Sequence, residues 1–416
     1  MKLVRPLAIV LLALVPGCVV PSETGGPPGH INELPRALTP QEHRLIEADN
    51  RFAIRLLKQA TLDTRDTLPN LFISPLSVAM ALAMTYNGAA GTTEDAMRAT
   101  LELDSMTVPE VNASYRSLIQ MLENLDPHVQ FEIANAIWYK QGYTVAQPFL
   151  DANRTFYDAQ VTALDFTSPT APATINDWVS RQTHGLIDHI IDPPIPDYQR
   201  LYLIDAIYFK GDWTVQFDKE LTQPRPFHQD DGSTINVPTM SRGLAKLRSN
   251  RLPNALVIDL PYGGEAFSMT IVVPDDTSSI EHLVDGLTPA QWNAWTGNLH
   301  SVEAEVRMPK FKLKNDLNLI PTLDALGMGI AFSDFANFSR IHTPSELAIT
   351  EVKHATYVDV NEEGTVAAAV TSVGIGLVCA CGPTLFVIDR PFLFALRENL
   401  SGTILFLGVI RRPPVN

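Results

Sequence analysis

The stretch EEGTVAAAVTSVGIGLVCACG, residues 362–382, sets a long uncharged run into an acidic chain. No Asp, Glu, Lys or Arg follows Glu363 until Asp389, and Ala, Val, Thr, Ser and Gly fill most of the interval. If the run is extended, Thr365, Ala367, Ala369 and Thr371 share one face, and both faces are small and uncharged, as a central strand requires.

The same run lacks the features of a strand that is paired from the start. Its end is rich in glycine and no turn signal bounds it. Small residues can enter a packed sheet from which bulky or charged residues are excluded. The composition therefore favours a segment that is exposed in one state and buried as a strand in another. A membrane span is the alternative for an uncharged run of 18 or more residues, but four glycines and Pro383 argue against it.

The overall composition predicts a folded protein with a large core. The chain has 416 residues, 45% of them apolar, and its 31 basic and 46 acidic side chains give a formal charge of −15. An acidic chain without a Lys/Arg-rich block is not expected to bind nucleic acid. No repeat or linker divides residues 41–416, so we predict a single domain there.

The N-terminus has the form of an export signal. Lys2 and Arg5 precede a short apolar core, and residues 1–17 end at Cys18 in the order Val-Pro-Gly-Cys. This order resembles a bacterial lipobox, in which Cys18 would carry the lipid. Residues 18–40 are rich in Pro and Gly and are predicted to form a flexible tether. We therefore expect an exported envelope lipoprotein, periplasmic or on the cell surface, whose only membrane contact is the lipid; simple secretion is the alternative.

Helical and strand patterns occur in irregular order, which predicts an α+β fold. Helical spacing is found at 41–62, 173–184 and 317–326, and in a buried helix that begins with Ser74 as N-cap and Pro75 as first residue and stops at Asn87-Gly88. Strand patterns are found at 131–139, 201–209, 255–262, 267–274, 302–313, 354–363, 384–389, 391–396 and 403–410.

The sequence contains none of the common catalytic signatures. It has no phosphate-binding loop, no G-x-S-x-G elbow, no H-E-x-x-H helix and no dinucleotide fingerprint. His184 and His189 are five residues apart and would not share a helix face, so we interpret them as surface or capping residues. Cys379 and Cys381 have no His or carboxylate nearby in sequence, and we interpret them as free thiols. Redox control of the loop and a disulfide-linked dimer are the alternatives. We expect no cofactor, no metal and no enzyme activity.

Taken together, several blocks resemble the serpin family. The segment NEEGTVAAAVTS resembles the family's hinge at the start of the reactive loop, and VIDRPFLFAL with SGTILFLGVI resembles its C-terminal signature. Further blocks agree in order: NLFISPLSVAMALAM, LIDAIYFKGDW, LPYGGEAFSMTIVVP, MPKFKL and EVKHATYVDV. The resemblance runs from about Gln41 to Arg412 and implies three β-sheets, eight or nine helices and an exposed reactive loop.

The resemblance also implies a mechanism. A target serine protease, or a cysteine protease, attacks the loop and forms a covalent acyl complex, and the cut loop inserts as a central strand of the largest sheet. The implied hinge comprises Glu362, Glu363, Gly364, Thr365, Val366, Ala367, Ala368 and Ala369. Counting the family's usual seventeen residues from Glu362 gives Val378–Cys379 as the reactive bond, with the bonds on either side of it left open.

The loop composition narrows the expected target. No Lys or Arg lies between Glu363 and Arg390, which implies a protease with a small or medium apolar primary pocket, elastase-like or subtilisin-like. We expect the inhibitor to act as a monomer. The alternative is a non-inhibitory serpin that acts as a binding protein; the small, uncharged hinge residues favour the inhibitor.

Five further positions match the serpin residues around the opening sheet. Ser74, Ser77, Asp205 and His354 match a cluster beneath its centre, and Trp213 matches the tryptophan near the point where the loop enters. Asp205 departs from the family, which normally has Asn. From this departure we expect a charge-assisted hydrogen bond between Asp205 and His354, and a pH dependence of insertion.

Overall fold

The computed structural model describes residues 29–344, 346–365 and 384–414. Within them the helices are α1 (Pro40–Thr64), α2 (Pro75–Tyr86), α3 (Gly91–Thr100), α4 (Val108–Glu123), α5 (Gln147–Tyr157), α6 (Ala171–Gln182), α7 (Ile280–Gly286), α8 (Pro289–Gly297) and α9 (Ile320–Leu323). The strands are β1 (Asn70–Ile73), β2 (Val129–Lys140), β3 (Gln160–Leu164), β4 (Leu201–Asp212), β5 (Asp218–His228), β6 (Thr234–Arg251), β7 (Ala255–Tyr262), β8 (Phe267–Pro274), β9 (His300–Pro309), β10 (Phe311–Asn318), β11 (Lys353–Val360), β12 (Gly364–Thr365), β13 (Thr384–Val387), β14 (Phe392–Glu398) and β15 (Ile404–Ile410).

Local sequence signals define the two helices that matter for the site. α1 begins with a capping box, in which Thr39 accepts from the backbone N–H of Glu42 and the Glu42 carboxylate accepts from the N–H of Thr39. α2 begins as predicted, with Ser74 as N-cap and Pro75 as its first residue, and eleven of its twelve residues are buried. α2 packs against β4 and β15, and α1 packs against α2 and β15.

The strands form one six-stranded and one nine-stranded hydrogen-bonded sheet. The six-stranded order is β10-β11-β12-β4-β2-β3, so the two-residue strand β12 separates β11 from β4. The nine-stranded order is β1-β15-β14-β8-β7-β6-β9-β13, with β5 paired to β6. The 18-residue strand β6 joins two parts of this sheet, because it pairs with β5 at its N-terminal end, with β7 at its C-terminal end and with β9 along most of the length between them.

Apolar cores lie on both faces of the six-stranded sheet. The larger core lies between this sheet, the nine-stranded sheet and helices α1 and α2. A smaller core lies on the other face, where Trp178 and Val179 of α6 and Ile190 and Ile191 of the following segment pack against Ile204 of β4. Residues of β4 and β11 therefore alternate between two apolar environments, which explains why the sequences of both strands contain few charged residues.

The sequence located most strands but missed or misplaced some elements. β7 and β8 have the predicted bounds. The strand predicted at 302–313 is two strands, β9 and β10, separated at Lys310. The helix predicted at 317–326 begins too early, because β10 continues to Asn318 and is followed by α9 and a π-turn at Asp324–Met328. Among the described residues, no helix is both long and apolar enough to cross a bilayer.

Candidate functional site

The hinge begins as a strand inside the six-stranded sheet. Gly364 and Thr365 form β12, where Gly364 lies opposite Asp212 of β4 and Thr365 lies opposite Val360 of β11. A Cβ at position 364 would collide with the carbonyl oxygen of Gly211, so only glycine allows the strands to approach this closely. The first two hinge residues after Glu363 are therefore already paired on both sides.

An aromatic pair lies directly under this point. The Trp213 ring stacks on Tyr262 with 4.4 Å between ring centroids, and its Nε1 donates to the carbonyl of Asn361 at 2.9 Å. The backbone N–H of Trp213 donates to the carbonyl of Glu363 at 2.9 Å. The Tyr262 and Thr365 hydroxyls are hydrogen-bonded at 2.7 Å. Trp213 thus holds the chain on the N-terminal side of β12, while Tyr262 holds Thr365.

The two glutamates that precede the hinge differ in burial. Glu362 is 4% exposed and accepts hydrogen bonds from Lys310 Nζ at 2.7 Å and from Thr222 Oγ1 at 2.8 Å. Burial opposes its ionisation, but these two donors outweigh burial and hold the pKa of Glu362 below its usual range. Glu363 pairs with Lys219, which is mostly exposed. The buried Glu362 is therefore the firmer anchor of the hinge.

Below β12, strands β4 and β11 are separated by a slot. The two strands share no paired residues among those the structure describes, and β12 is the only element paired to both. A cavity of about 520 Å³ extends along the slot and is lined by β4, by β11 and by the segment that follows α6. Facing backbone edges without a partner strand are the expected receptor for one additional strand.

The predicted cluster lies at the base of this slot. The backbone N–H of Ser74 donates to His354 Nε2 at 2.9 Å, and Ser74 Oγ donates to the carbonyl of Leu405 at 2.9 Å. Ser77 Oγ donates to the backbone carbonyl of Asp205 at 3.5 Å. Burial lowers the pKa of His354 to about 4, so the ring is neutral at physiological pH and accepts through Nε2.

Asp205 does not make the predicted bond to His354. Both of its carboxylate oxygens are buried, and neither has a hydrogen-bond partner in the described part of the chain. Burial raises the pKa of Asp205 to about 8, although the nearby Ser77 opposes the rise slightly. Because the slot separates β4 from β11, His354 bonds to Ser74 instead. The charge-assisted pair expected from the sequence is therefore wrong for this state.

The end of the loop is held by the other sheet. β13 runs parallel to β9, with Thr384 opposite Ala304 and Val387 opposite Arg307. The segment between Thr365 and Thr384 thus starts in the six-stranded sheet and ends in the nine-stranded sheet. The slot lies in the six-stranded sheet. The nine-stranded sheet has more strands because β6 continues from one part of it into another.

Comparison with known proteins shows which family has this fold and this site. A profile for the family described as Serpin (serine protease inhibitor) matches residues 47–413. The chain belongs to the serpin family. Iripin-8 of Ixodes ricinus is 35% identical over 379 residues, covering 88% of this chain and 93% of that protein. Human leukocyte elastase inhibitor is 34% identical over 383 residues, covering 89% of this chain and all of the relative.

Solved serpin structures agree with the fold. The native state of the thermophilic serpin tengpin superposes with a TM-score of 0.80 at 28% identity, covering 92% of this chain and 97% of that chain. Human thyroxine-binding globulin superposes with a TM-score of 0.81 at 26% identity, covering 90% and 99%. The family is one of protease inhibitors rather than enzymes, and its targets are serine proteases.

Part of the predicted serpin site lies outside the described residues. This applies to Cys18, which is predicted to carry the lipid, to the hinge positions Val366, Ala367, Ala368 and Ala369, and to the predicted reactive bond Val378–Cys379. Glu362, Glu363, Gly364 and Thr365 are brought together with Trp213 at the top of the slot. Ser74, Ser77, Asp205 and His354 converge at its base, although Asp205 is not bonded to His354.

Sequence reasoning missed three partners of the serpin hinge. Lys310, Thr222 and Tyr262 contact Glu362 or Thr365, but they are 52 to 140 residues away along the chain. Lys310 stands between β9 and β10, where its sequence pattern suggested an uninterrupted strand. Charged residues recur throughout the block around Lys310, so its local pattern carried no signal that singled out Lys310 as a partner of Glu362.

Proposed function

We propose that this serpin is a suicide inhibitor of serine proteases with a small or medium apolar primary pocket. The catalytic serine oxygen of the protease attacks the carbonyl carbon of Val378, and the bond to the nitrogen of Cys379 breaks. The nitrogen leaves as the amine of a new N-terminus, and the protease stays attached through an ester to Val378. The hinge then enters the slot before water hydrolyses the ester.

The observation that carries this proposal is the pairing of Gly364 and Thr365 between β4 and β11 above an unfilled slot. Continued for six residues, this register would bring Thr371 opposite both Asp205 and His354. Thr365 faces Tyr262 in the larger core, so Ala367, Ala369 and Thr371 would face that core too. These are small and uncharged residues, and the inward face of the slot contains polar groups without partners that a threonine hydroxyl can satisfy.

Energetics favour insertion. About twelve inserted residues would form roughly one ladder hydrogen bond each, at roughly 0.5–1.5 kcal/mol per bond. Buried Val and Ile side chains would add roughly 1.5–3 kcal/mol each. The sum is of order 10 kcal/mol before the cost of ordering the chain. A single charge on the inward face would remove several kcal/mol of this, which explains why the run from Gly364 to Ile388 has no charge.

The test is direct. The fragment beginning after Cys18 is mixed with an elastase, a subtilisin, a chymotrypsin and a trypsin, and the products are separated under denaturing conditions. We expect a covalent complex with elastase or subtilisin, and a released C-terminal peptide that begins near Cys379. Complex formation with a strictly Arg/Lys-specific protease by cleavage within the loop would contradict the proposed specificity.

A Thr371→Glu variant tests the trapping step separately. The buried charge should block insertion at the base of the slot, so we expect elastase to cleave the loop as a substrate without forming the complex. Thr371→Ser is the matched control, because it keeps the hydroxyl and the small size. Cleavage of the unmodified protein without any complex, across all four proteases, would instead support the non-inhibitory alternative in which the serpin acts as a binding protein.

We also propose that the mature protein is a bacterial envelope lipoprotein held by lipid on Cys18. The support is the order Val15-Pro16-Gly17-Cys18 after a basic and apolar leader. In a bacterial host, the full chain should incorporate labelled palmitate and fractionate with membranes. A Cys18→Ser variant should lose both properties. Export of an unlipidated, soluble product from the unmodified chain would show that the protein is secreted.

A further inference from the structure

The strand that follows the reactive loop exposes apolar side chains at a sheet edge. β13 is the last strand of its sheet and pairs only with β9 among the described strands. Phe386 is 5% exposed and packs inward, whereas its neighbours Leu385 and Val387 are 38% and 37% exposed. An edge strand with an apolar outer face is a feature that proteins normally avoid unless it binds something.

The pairing of the neighbouring strands is irregular at two places, and each place exposes a leucine. The pairing of β5 with β6 shifts register between Asp218 and Gln223, and Leu221 in this interval is 49% exposed. The pairing of β6 with β9 shifts register between Arg242 and Ala245, and Leu244 in this interval is 52% exposed. β-Bulges, one form of such irregularity, redirect side chains and are over-represented at functional sites.

These four side chains belong to one region of the sheet. The cross-strand row Asp218, Ser241, Arg307 and Val387 connects β5, β6, β9 and β13. Leu221 and Leu244 lie within three residues of this row, and Leu385 is two residues from its end. Eight large apolar side chains of the described residues are exposed, and these account for four of them. We call Leu221, Leu244, Leu385 and Val387 the leucine patch.

The leucine patch lies within reach of a protease that is bound to the loop. Cys379 is six residues before Leu385, so the reactive bond is at most about 20 Å of extended chain from the patch. A protease of about 230 residues has a radius of gyration of about 17 Å, so its rim reaches across this distance. On the other side, Thr222 beside Leu221 bonds to Glu362, which precedes the hinge. The patch therefore extends between the two ends of the loop.

We propose that the leucine patch is a second docking surface for the target protease, which contacts it through an apolar rim beside its substrate cleft. This inference rests on the proposed inhibitory function. It adds a specificity determinant outside the loop: the loop presents the bond, and the patch strengthens the encounter before acylation. A second copy of this chain is a poorer occupant, because each copy carries a formal charge of −15 and the two repel.

The experiment compares a Leu244→Ser/Leu385→Ser variant with the unmodified fragment. The probe is pancreatic elastase in two forms, active and with its catalytic serine replaced by alanine. We expect the Kd for the inactive elastase to rise about tenfold, as for the loss of apolar anchors at an interface. With active elastase, the second-order rate of complex formation should fall by a similar factor, while the number of inhibitor molecules consumed per protease should stay unchanged.

Phe335→Ser is the matched control. Phe335 is 84% exposed but follows the 3₁₀ turn beside α3, away from the loop ends, so its removal should leave both values unchanged. An unchanged Kd for the patch variant overturns the proposal. A dimer of the unmodified protein, detected by sedimentation and no longer formed by the patch variant, overturns it too. Binding of the inactive elastase is measured whether or not a covalent complex forms, so loss of the inhibitory function and loss of the docking surface are distinguished.

Discussion

Two buried aspartates show how differently the two sheets are completed. In the nine-stranded sheet, Asp259 accepts from Ser268 Oγ at 2.8 Å, from Thr270 Oγ1 at 2.6 Å and from Arg397 Nη2 at 3.1 Å. Burial opposes its ionisation, but Arg397 and these donors keep its pKa below the usual value. In the six-stranded sheet, both oxygens of Asp205 are buried without a partner among the described residues, and burial raises its pKa to about 8.

The difference indicates which sheet changes its structure when the loop inserts. A buried polar group without a partner costs roughly 1–3 kcal/mol, and natural structures retain few of them. The nine-stranded sheet satisfies its buried carboxylate with two cations and two hydroxyls. The six-stranded sheet leaves Asp205 unsatisfied beside a slot that lacks a strand. We interpret the second sheet as incomplete until the loop enters it.

The largest expected effect comes from removing a buried partner of Asp259 in the nine-stranded sheet. Arg397→Met leaves the carboxylate of Asp259 buried beside one remaining cation, Arg248, which is 42% exposed. We expect a loss of about 3–5 kcal/mol in the free energy of unfolding, because an uncompensated buried charge is costly. Urea unfolding followed by tryptophan fluorescence measures it. Arg248→Met is the control and should cost less than half as much; equal losses would show that Asp259 does not depend on the buried partner.

The next effect concerns the anchor above the slot. Glu362→Gln removes the charge that Lys310 and Thr222 hold, and hydrogen bonds to a charged group contribute roughly 1.5–3 kcal/mol. We expect the hinge to enter the slot without cleavage about tenfold faster, measured as loss of inhibitory activity during incubation at moderate heat. Glu363→Gln is the matched control, since its partner Lys219 is 60% exposed and contributes little. Similar rates for the two variants would refute the assignment of Glu362 as anchor.

A third effect depends on pH. The pKa of Asp205 is about 8 in the folded chain, above the value of about 3.9 for an unfolded aspartate. The stability it contributes is therefore fully present below pH 4 and is lost as the pH rises toward 8. Asp205→Asn removes this loss, so the stability of the variant relative to the parent should rise steadily between pH 5 and pH 8, by up to about 1.4 kcal/mol per pH unit.

Asp49→Asn is the control that separates stability from insertion. Burial also raises the pKa of Asp49 to about 7, but its carboxylate accepts from Tyr115 Oη at 2.7 Å in the main core. Both variants should flatten the pH dependence of unfolding, and only Asp205→Asn should change the pH dependence of insertion. Identical insertion rates from pH 5 to 8 in the Asp205→Asn variant and its parent would contradict the account.

The smallest effect concerns the segment over the slot. Asp192, which follows α6, pairs with Lys353 at the start of β11 and with His189 at 2.8 Å. Because Asp192 is 70% exposed, this pair contributes roughly 0–1 kcal/mol. Asp192→Asn should change the rate of insertion less than threefold, and the change should vanish at 1 M salt. A tenfold change that persists in salt would mean that this segment controls access to the slot.

The sequence predicted the fold where apolar patterns were strong. β7 and β8 have their predicted bounds because both are bounded by turns and buried along most of their length. β5 and β6 were missed, because their residues are largely polar and partly exposed, and their pairing is interrupted by register shifts. A polar strand is stabilised by its neighbours in the sheet, which a local pattern does not contain.

The sequence identified the residues that lie around the slot, but not the contacts that they make. Residues around the slot were identified from the serpin resemblance, yet the expected bond between Asp205 and His354 is absent because the strands that carry them are apart. Lys310 and Tyr262, which hold Glu362 and Thr365, are distant in sequence and were not predicted. Contacts across the slot depend on whether a strand fills it. The sequence does not specify whether the slot is empty or filled.

The most direct measurement is the thermal transition before and after cleavage of the reactive loop. The fragment beginning after Cys18 is cut with a trace of subtilisin, the cut is verified by sequencing the released C-terminal peptide, and unfolding is followed by circular dichroism. If the loop completes the six-stranded sheet, the transition temperature should rise by roughly 10–15 °C, given a gain of order 10 kcal/mol. An unchanged transition after complete cleavage would contradict the claim that the slot between β4 and β11 receives the loop.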